Sequence, residues 1–173
     1  PVTQSHTADV LISEVGPRDG LQNASSIMPT EAKLRWISAL AACGIPEIEV
    51  GSFVPAKVLP QLADTAEVVA HANTIDGLDV AVLVPNLRGA QNALAAGVDK
   101  MTVPLSVSET HSLKNVRRTH AQMFDEVRGI RAAIEALPET ERPQLEGSVS
   151  TVFGCTLEGA IPESKILTIA ETL

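Results

Sequence analysis

Val10-Leu11-Ile12-Ser13-Glu14-Val15 runs straight into Gly16-Pro17-Arg18-Asp19-Gly20-Leu21-Gln22-Asn23. The first six residues read as a β-strand. The Gly-Pro pair then forces a turn, which presents an Arg, an Asp and a Gln at the strand's C-terminal end, the place where α/β proteins put active sites. Beyond this unit, short β-branched runs alternate with longer helical ones, a pattern that demands parallel strands joined by helical crossovers. Thr30 is expected to cap a helix to about Cys43, with Glu31 in its first turn and Gly44 as its stop. A second strand follows at Glu47–Val50, a helix at Gln61–Ala72 and a third strand at Leu78–Val84. Asn86 caps a helix that Gly97 ends, and Lys100–Leu105 is a fourth strand. The longest helix is expected from about Leu113 to Leu137, a fifth strand at Gln144–Val152, and a last helix with Pro162 at its first position. The fold class is α/β.

Composition narrows the function. The chain has 173 residues, one domain's worth, of which 45% are hydrophobic and 20% charged, enough for a substantial core. Asp and Glu number 21 against 13 Lys and Arg, for a formal net charge of −8, and aromatic residues make up 2%. A nucleic-acid binder needs a basic footprint and often stacking rings, so that class is excluded as the leading one. No apolar run approaches the ~20 residues of a membrane span. Residues 1–9 show neither a secretory signal nor a transit peptide, and with no Met at position 1 trimming stays open. Cys43 and Cys155 form no C-x-x-C pair, so neither a disulfide framework nor a zinc site is expected, and a reducing cytoplasm is the simplest compartment. Both cysteines read as packing residues.

Three groups of residues carry chemistry. Arg18 and Asp19 can divide labour: a carboxylate takes a hard divalent cation, and an always-charged guanidinium holds a developing oxyanion. A surface turn with a local ion pair is the competing reading. In the second strand, alternation puts Glu47 and Glu49 on one face. A carboxylate in a strand buried on both sides costs several kcal/mol unless paired, which makes Glu49 a functional candidate, while Glu47 at the other end is expected to reach solvent. Glu14 is weighted toward orienting the Arg-Asp pair. The third group, Lys114, Arg117 and Arg118, packs three positive charges into a loop and helix start of an otherwise acidic chain. Cations near a helix N-terminus are disfavoured, so the cluster suits a phosphate-bearing anion, and pairing with Asp125 or Glu126 is the alternative. The four His show no metal-ligand spacing and read as surface residues. No G-x-S-x-G, P-loop or G-x-G-x-x-G motif is present.

Val15-Gly16-Pro17-Arg18-Asp19-Gly20-Leu21-Gln22-Asn23 strongly resembles the signature of the 3-hydroxy-3-methylglutaryl-CoA (HMG-CoA) lyases, metal-dependent TIM barrels. Ile48–Val54, Leu83–Gly89, Ser106–Glu109 with Lys114-Asn115, and Gly154-Cys155 with Glu158-Gly159 extend the likeness over essentially the whole chain. The resemblance implies a TIM (β/α)8 barrel of which residues 1–173 hold the first five βα units, well short of the ~250 residues of a complete one. It implies a retro-Claisen cleavage with Mg²⁺ or Mn²⁺, giving acetyl-CoA and a ketoacid such as acetoacetate, and a place in leucine catabolism. Asp19 would be a metal ligand, Arg18 would stabilise the enolate oxygen, Gln22, Glu49 and Glu14 would shape the inner site, and Asn115 would lie on the coenzyme A side. Ser148 stands where these lyases usually carry a Tyr, which leaves room for a bulkier 3-hydroxyacyl-CoA. The family's H-x-H metal pair, a further Asn ligand and a Gly-rich Cys loop lie beyond the fifth strand. The segment alone is therefore expected to be catalytically incompetent, and its last helix, which lacks a stop signal, to be cut short. The partner implied is an acyl-CoA substrate, with homo-oligomerisation left open. Two other readings are a condensing synthase of the isopropylmalate or homocitrate type, disfavoured by Gly16-Pro17, and a non-catalytic CoA-binding module with its strand edges covered by a partner.

Overall fold

A computed structural model describes residues 10–173, so the stretch 1–9, read above for targeting signals, lies outside the described residues. Five strands, β1 (Ser13–Glu14), β2 (Glu47–Ser52), β3 (Asp79–Leu83), β4 (Lys100–Ser106) and β5 (Gln144–Ser150), form one parallel sheet in the order of the chain. Helices α1 (Thr30–Ala42), α2 (Thr65–Ala72), α3 (Leu87–Ala96), α4 (Glu109–Asn115), α5 (His120–Glu135) and α6 (Glu163–Thr172) supply the crossovers. The result is an open half-barrel with its helices outside.

Alternation along each strand sorts the two faces. Ile48 and Val50 of β2, Val80 and Val82 of β3, and Met101, Val103 and Leu105 of β4 point outward into a buried cluster with Ile37, Val68, Val69, Ala90, Met123 and Ile130 from the helices. The inner face is polar. Glu47, Glu49, Ala81, Lys100, Thr102, Glu146 and Ser148 line a chamber of about 240 Å³. Two carboxylates hold Lys100 there, Glu47 at 3.1 Å and Glu146 at 2.6 Å. Burial works to lower the Lys100 ammonium, but its bonds to Glu146 and Glu47 outweigh it and raise the group above its ordinary value. Glu47 was expected in solvent; it is buried, because the open half-barrel curls its inner face around that end and Lys100 neutralises it.

Several local expectations shift. β1 pairs over only two residues, and Val10, Leu11 and Ile12 are exposed. Thr30 is the first residue of α1 rather than its cap, and its hydroxyl donates to Asp64 Oδ2 at 2.8 Å. Asp64 also pairs at 2.6 Å with the buried Lys33 ammonium, so it ties α1 to the start of α2. The helix expected from Gln61 divides into a 3-10 turn at Pro60–Leu62 and α2. The long helix expected from Leu113 to Leu137 is two helices: Ser108 caps α4 early, Arg117 takes a left-handed φ of 57°, and Thr119 with Gln122 builds a capping box that starts α5 afresh. Pro162 caps α6 from outside. Cys43 is exposed, since it follows the last turn of α1, while Cys155 is buried as expected. Asn86 does cap α3 through Gly89 N, and Gly44 and Gly97, at φ 85° and 73°, do end their helices.

β2 carries the register shift that matters for the site, between Glu49 and Gly51. Gly51 packs against α2 so closely that a Cβ would meet Thr65 Oγ1 at 2.6 Å and Cγ2 at 2.8 Å. The same hydroxyl accepts from Ser52 N at 3.1 Å, so neither partner has room to retreat. Gly51→Ala should therefore destabilise the fold by about 1–3 kcal/mol in urea unfolding. Gly20→Ala, where a Cβ meets nothing within 4 Å, should stay within about 0.5 kcal/mol.

Candidate active site

The turn after β1 is a single wide helical turn, Gly16–Gly20, in which Asp19 N donates to Val15 O at 2.7 Å. Pro17 presets its φ and is buried. Glu14 fixes the start of the turn by accepting from Gly16 N at 2.6 Å. Glu14 thus holds the start of the turn, and it is not among the residues lining the cleft described below. The turn carries Arg18 across to β2, where its Nε and Nη2 both lie 2.6 Å from Glu49 Oε2. Arg18 Nη1 donates to Asp19 Oδ1 at 2.8 Å, and Gln22 Nε2 donates to the same oxygen at 2.9 Å.

These contacts leave two oxygens of different kinds. Glu49 Oε1 is buried and has no partner among the described residues. Burial accordingly pushes the Glu49 carboxyl above its ordinary range, and Arg18, by charge and hydrogen bond, pulls it only part of the way back. Asp19, with its side chain half exposed, takes both of its recorded bonds on Oδ1, so Oδ2 is without a protein partner among the described residues. Among the described residues no group of three or more His, Cys, Asp or Glu is placed to hold a metal ion. The donor set offers a hard cation a single accessible carboxylate, Asp19. That suits Mg²⁺, which is commonly held by one or two carboxylates and keeps several waters.

A cleft of about 730 Å³ lies over the C-terminal ends of the strands. Arg18, Asp19 and Gln22 form one end, and Lys114, Asn115, Arg117 and Arg118 line it as well. Residues nearly a hundred positions apart thus share one wall-to-wall space with Ser148 and Ser150 of β5. The three cations are not equivalent. Arg118 donates through Nε and Nη2 to Glu126 Oε1 at 3.1 and 3.0 Å, whereas Lys114 and Arg117 are exposed and have no ion-pair partner among the described residues. The helix-dipole argument for the cluster does not hold as expected: Lys114 sits in the last turn of α4, where a cation is favoured, and both arginines sit between helices.

Several residues of the cleft were not anticipated. Val54, Pro55, Val58 and Leu59, from the segment after β2, form an apolar rim, and His111 lines the same space. The histidines read as surface residues include two that are half-buried and bonded: His111 Nδ1 lies 2.7 Å from Ser106 Oγ, and His120 Nε2 lies 2.9 Å from Ser106 O. Period-two alternation puts Ser106 and Ser150 on one inner face, but their pairing with α4 is tertiary. Glu158 is exposed and lies outside the cleft lining, and bonds from Thr110, chiefly its backbone N–H at 2.8 Å, hold its carboxyl down at about 2.

A parallel half-barrel with a polar site at the C-terminal strand ends is the class of structure this defines. The HMGL-like family model matches residues 9–173, and the chain belongs to that family. It is 41% identical over 164 residues to the mitochondrial hydroxymethylglutaryl-CoA lyase of Arabidopsis thaliana, covering 95% of this chain and 34% of that protein. It is 38% identical over 164 residues to the hydroxymethylglutaryl-CoA lyase YngG of Bacillus subtilis, covering 95% of this chain and 54% of that protein. Among solved structures, the Bacillus subtilis HMG-CoA lyase matches with a TM-score of 0.87 and 36% identity over 94% of this chain and 53% of that one. An Acinetobacter baumannii HMG-CoA lyase in complex with coenzyme A and 3-methylmalate matches with a TM-score of 0.85 and 37% identity over 92% and 51%. The chain thus spans between a third and about half of these relatives. No described helix is long and apolar enough to cross a membrane. Relatives of the same activity carry both mitochondrial and cytoplasmic names, so the family does not choose the compartment.

The Arg18–Glu49 pair sets a pH dependence. A carboxyl raised in the folded state, from an ordinary value of 4.5, contributes stability that is complete below the unfolded value and lost as pH rises through the folded one. Arg18→Met removes the group that lowers Glu49, so the carboxyl rises further and the loss deepens toward neutral pH. The substitution should cost about 3–5 kcal/mol at pH ~8, and markedly less at pH ~4 where Glu49 takes up its proton. Urea unfolding at the two pH values checks this; an equal cost at both would mean that Glu49 is not the group left unpaired.

Proposed function

We propose that the protein is a metal-dependent carbon–carbon lyase that cleaves HMG-CoA, or a related 3-hydroxyacyl-CoA, into acetyl-CoA and a ketoacid such as acetoacetate. Within it, residues 1–173 are the part of a single TIM barrel that carries the first five βα units. The observation that carries this reading is the single cleft joining Arg18, Asp19 and Gln22 to Lys114, Asn115 and Arg117. That arrangement suits a long substrate with a reacting acyl group at one end and phosphates at the other. The likeness to HMG-CoA lyases, one of them solved with coenzyme A, supports it.

In this reaction the 3-hydroxyl gives up its proton, the carbonyl of the ketoacid forms, and the electron pair of the broken C–C bond passes to the acetyl-CoA enolate, which is then protonated. The enolate oxygen is where charge develops, and Arg18 is the group suited to receive it. A guanidinium has five N–H donors. Three are engaged, two with Glu49 and one with Asp19, which leaves about two N–H for the oxyanion. Glu49 holds the guanidinium plane, and being buried it does so without competition from water. A divalent cation with Asp19 among its ligands would supply Lewis-acid polarisation on the 3-hydroxyl side. Gln22 fixes the Asp19 carboxylate, Glu14 the backbone turn beneath it, and Asn115 belongs to the coenzyme A side. Lys114 and Arg117 are the cations free to meet phosphate. Arg118 is committed to Glu126 and plays the lesser part.

Acetyl-CoA release from HMG-CoA with Mg²⁺ or Mn²⁺, measured on the whole protein, tests the reading. Arg18→Ala should lower kcat by about 10²–10³, the range for loss of one oxyanion donor, and no metal-dependent release from the wild type would remove the proposal. For coenzyme A affinity, Lys114→Gln and Arg117→Gln should each cost about fivefold, as expected of an exposed ion pair worth ~1 kcal/mol, and the cost should shrink with added salt. Arg118→Gln should cost less than either.

A further inference from the structure

Ser106 and Ser150 end β4 and β5 in register, and their hydroxyls lie 3.0 Å apart. Ser106 is buried, and its Oγ also meets His111 Nδ1 at 2.7 Å. The hydroxyl of Ser106 therefore donates to one of these neighbours and accepts from the other. On the opposite side its carbonyl accepts from His120 Nε2 at 2.9 Å, so the end of β4 is held between two imidazoles. His111 N is in turn bound to Ser108 Oγ, the cap of α4, which fixes the backbone that carries the ring. An apolar side chain would pack these strand ends with no polar group to satisfy, and the chain instead keeps a buried hydroxyl whose bonds all serve to orient one ring.

With Nδ1 tied to a buried group, the ring's other nitrogen, Nε2, lies on its far edge and has no protein partner among the described residues. His111 lines the large cleft and also a smaller adjoining recess with Lys114, Asn115, Thr156 and Leu157. Spacing of three and four residues puts His111, Lys114 and Asn115 on one face of α4. His111 is in the first turn, beside the strand ends that carry Ser148 and Ser150, while Lys114 and Asn115 are in the last turn. The ring therefore stands between the reacting end of the cleft and its cationic end.

We propose that His111 Nε2 hydrogen-bonds the amide-bearing arm of the acyl-CoA where it crosses from Lys114 and Arg117 to Arg18, with Ser106 and Ser150 as positioning residues that set the ring. The inference rests on the acyl-CoA reading above and adds a contact to a part of the ligand that no phosphate-binding cation recognises. An amide offers both a donor and an acceptor, so it meets Nε2 whichever way the Ser150–Ser106–His111 chain runs. A phosphate would instead select the cations beyond it.

Calorimetric titration of the full chain with coenzyme A and, separately, with adenosine 3′,5′-bisphosphate, which has the nucleotide end without the arm, tests it. The wild type should bind coenzyme A more tightly than the bisphosphate. His111→Ala should weaken coenzyme A by about two- to tenfold, the range of one neutral hydrogen bond, and leave the bisphosphate unchanged. His111→Gln, whose amide nitrogen can stand near Nε2, should keep most of the affinity. Ser106→Ala, which frees the ring, should weaken coenzyme A alone, and these two variants decide the matter if His111→Ala does not fold. Equal loss for both ligands, or no loss for coenzyme A, would overturn the role of His111 and leave the acyl-CoA reading standing. A wild type that binds neither ligand would overturn that reading itself.

Discussion

A guanidinium and a carboxylate, both drawn out of water, meet at 2.6 Å where the first two strands end. Neither could sit there alone. Removing one partner would leave a buried charge worth several kcal/mol, and that penalty makes the pair a constraint on everything around it. The wide turn at Gly16–Gly20, its start fixed by the Glu14 bond to Gly16 N, brings Arg18 to Glu49 Oε2. Glu49 Oε1 is left buried and unpartnered as a consequence. Apolar side chains of similar volume at this layer would have carried no such penalty.

The same logic repeats lower in the half-barrel and higher in the cleft. Lys100 between Glu47 and Glu146 neutralises the inner face at its N-terminal end, so the lumen is polar from bottom to top. At the top, the break between α4 and α5 separates the cations by function. One left-handed residue, Arg117, turns the chain so that Arg118 reaches Glu126 while Lys114 and Arg117 stay exposed at the cleft. A continuous helix, at spacings of three and four, would have kept all three side chains on one face.

Much of the fold was legible because strand and helix periods differ. The alternation of β-branched runs with helical stretches located all five strands, and Asn86, Gly44 and Gly97 marked helix boundaries through local chemistry that needs no partner. Where a boundary depended on tertiary contact, the local reading failed. Thr30 is drawn off its capping role by Asp64, thirty-four positions away. The break at Arg117 was missed because no Gly or Pro lies between Leu113 and Thr119, and the one Gly of the longer stretch, Gly129, sits inside α5; the helix restarts at Thr119 through a capping box whose Ser/Thr-x-x-Gln pattern was present in the sequence. Glu47 was misplaced because burial of its strand end follows from the curl of the sheet.

The site divides the same way. Arg18, Asp19 and Gln22 could be read as a group since one turn carries all three, and Glu49 could be read as costly because alternation put a carboxylate on a face of a buried strand. Local order, set by backbone dihedrals and by the periods of strand and helix, was enough to settle the α/β class, the strand-end turn and the residue types available to it. Which of those residues meet was settled by the half-barrel: it pairs Arg18 with Glu49, spends Arg118 on Glu126, and seats His111 on Ser106 and Ser150. The reason is that a hydrogen bond or an ion pair acts over about 3 Å, and only the folded sheet brings groups so far apart in the chain within that reach.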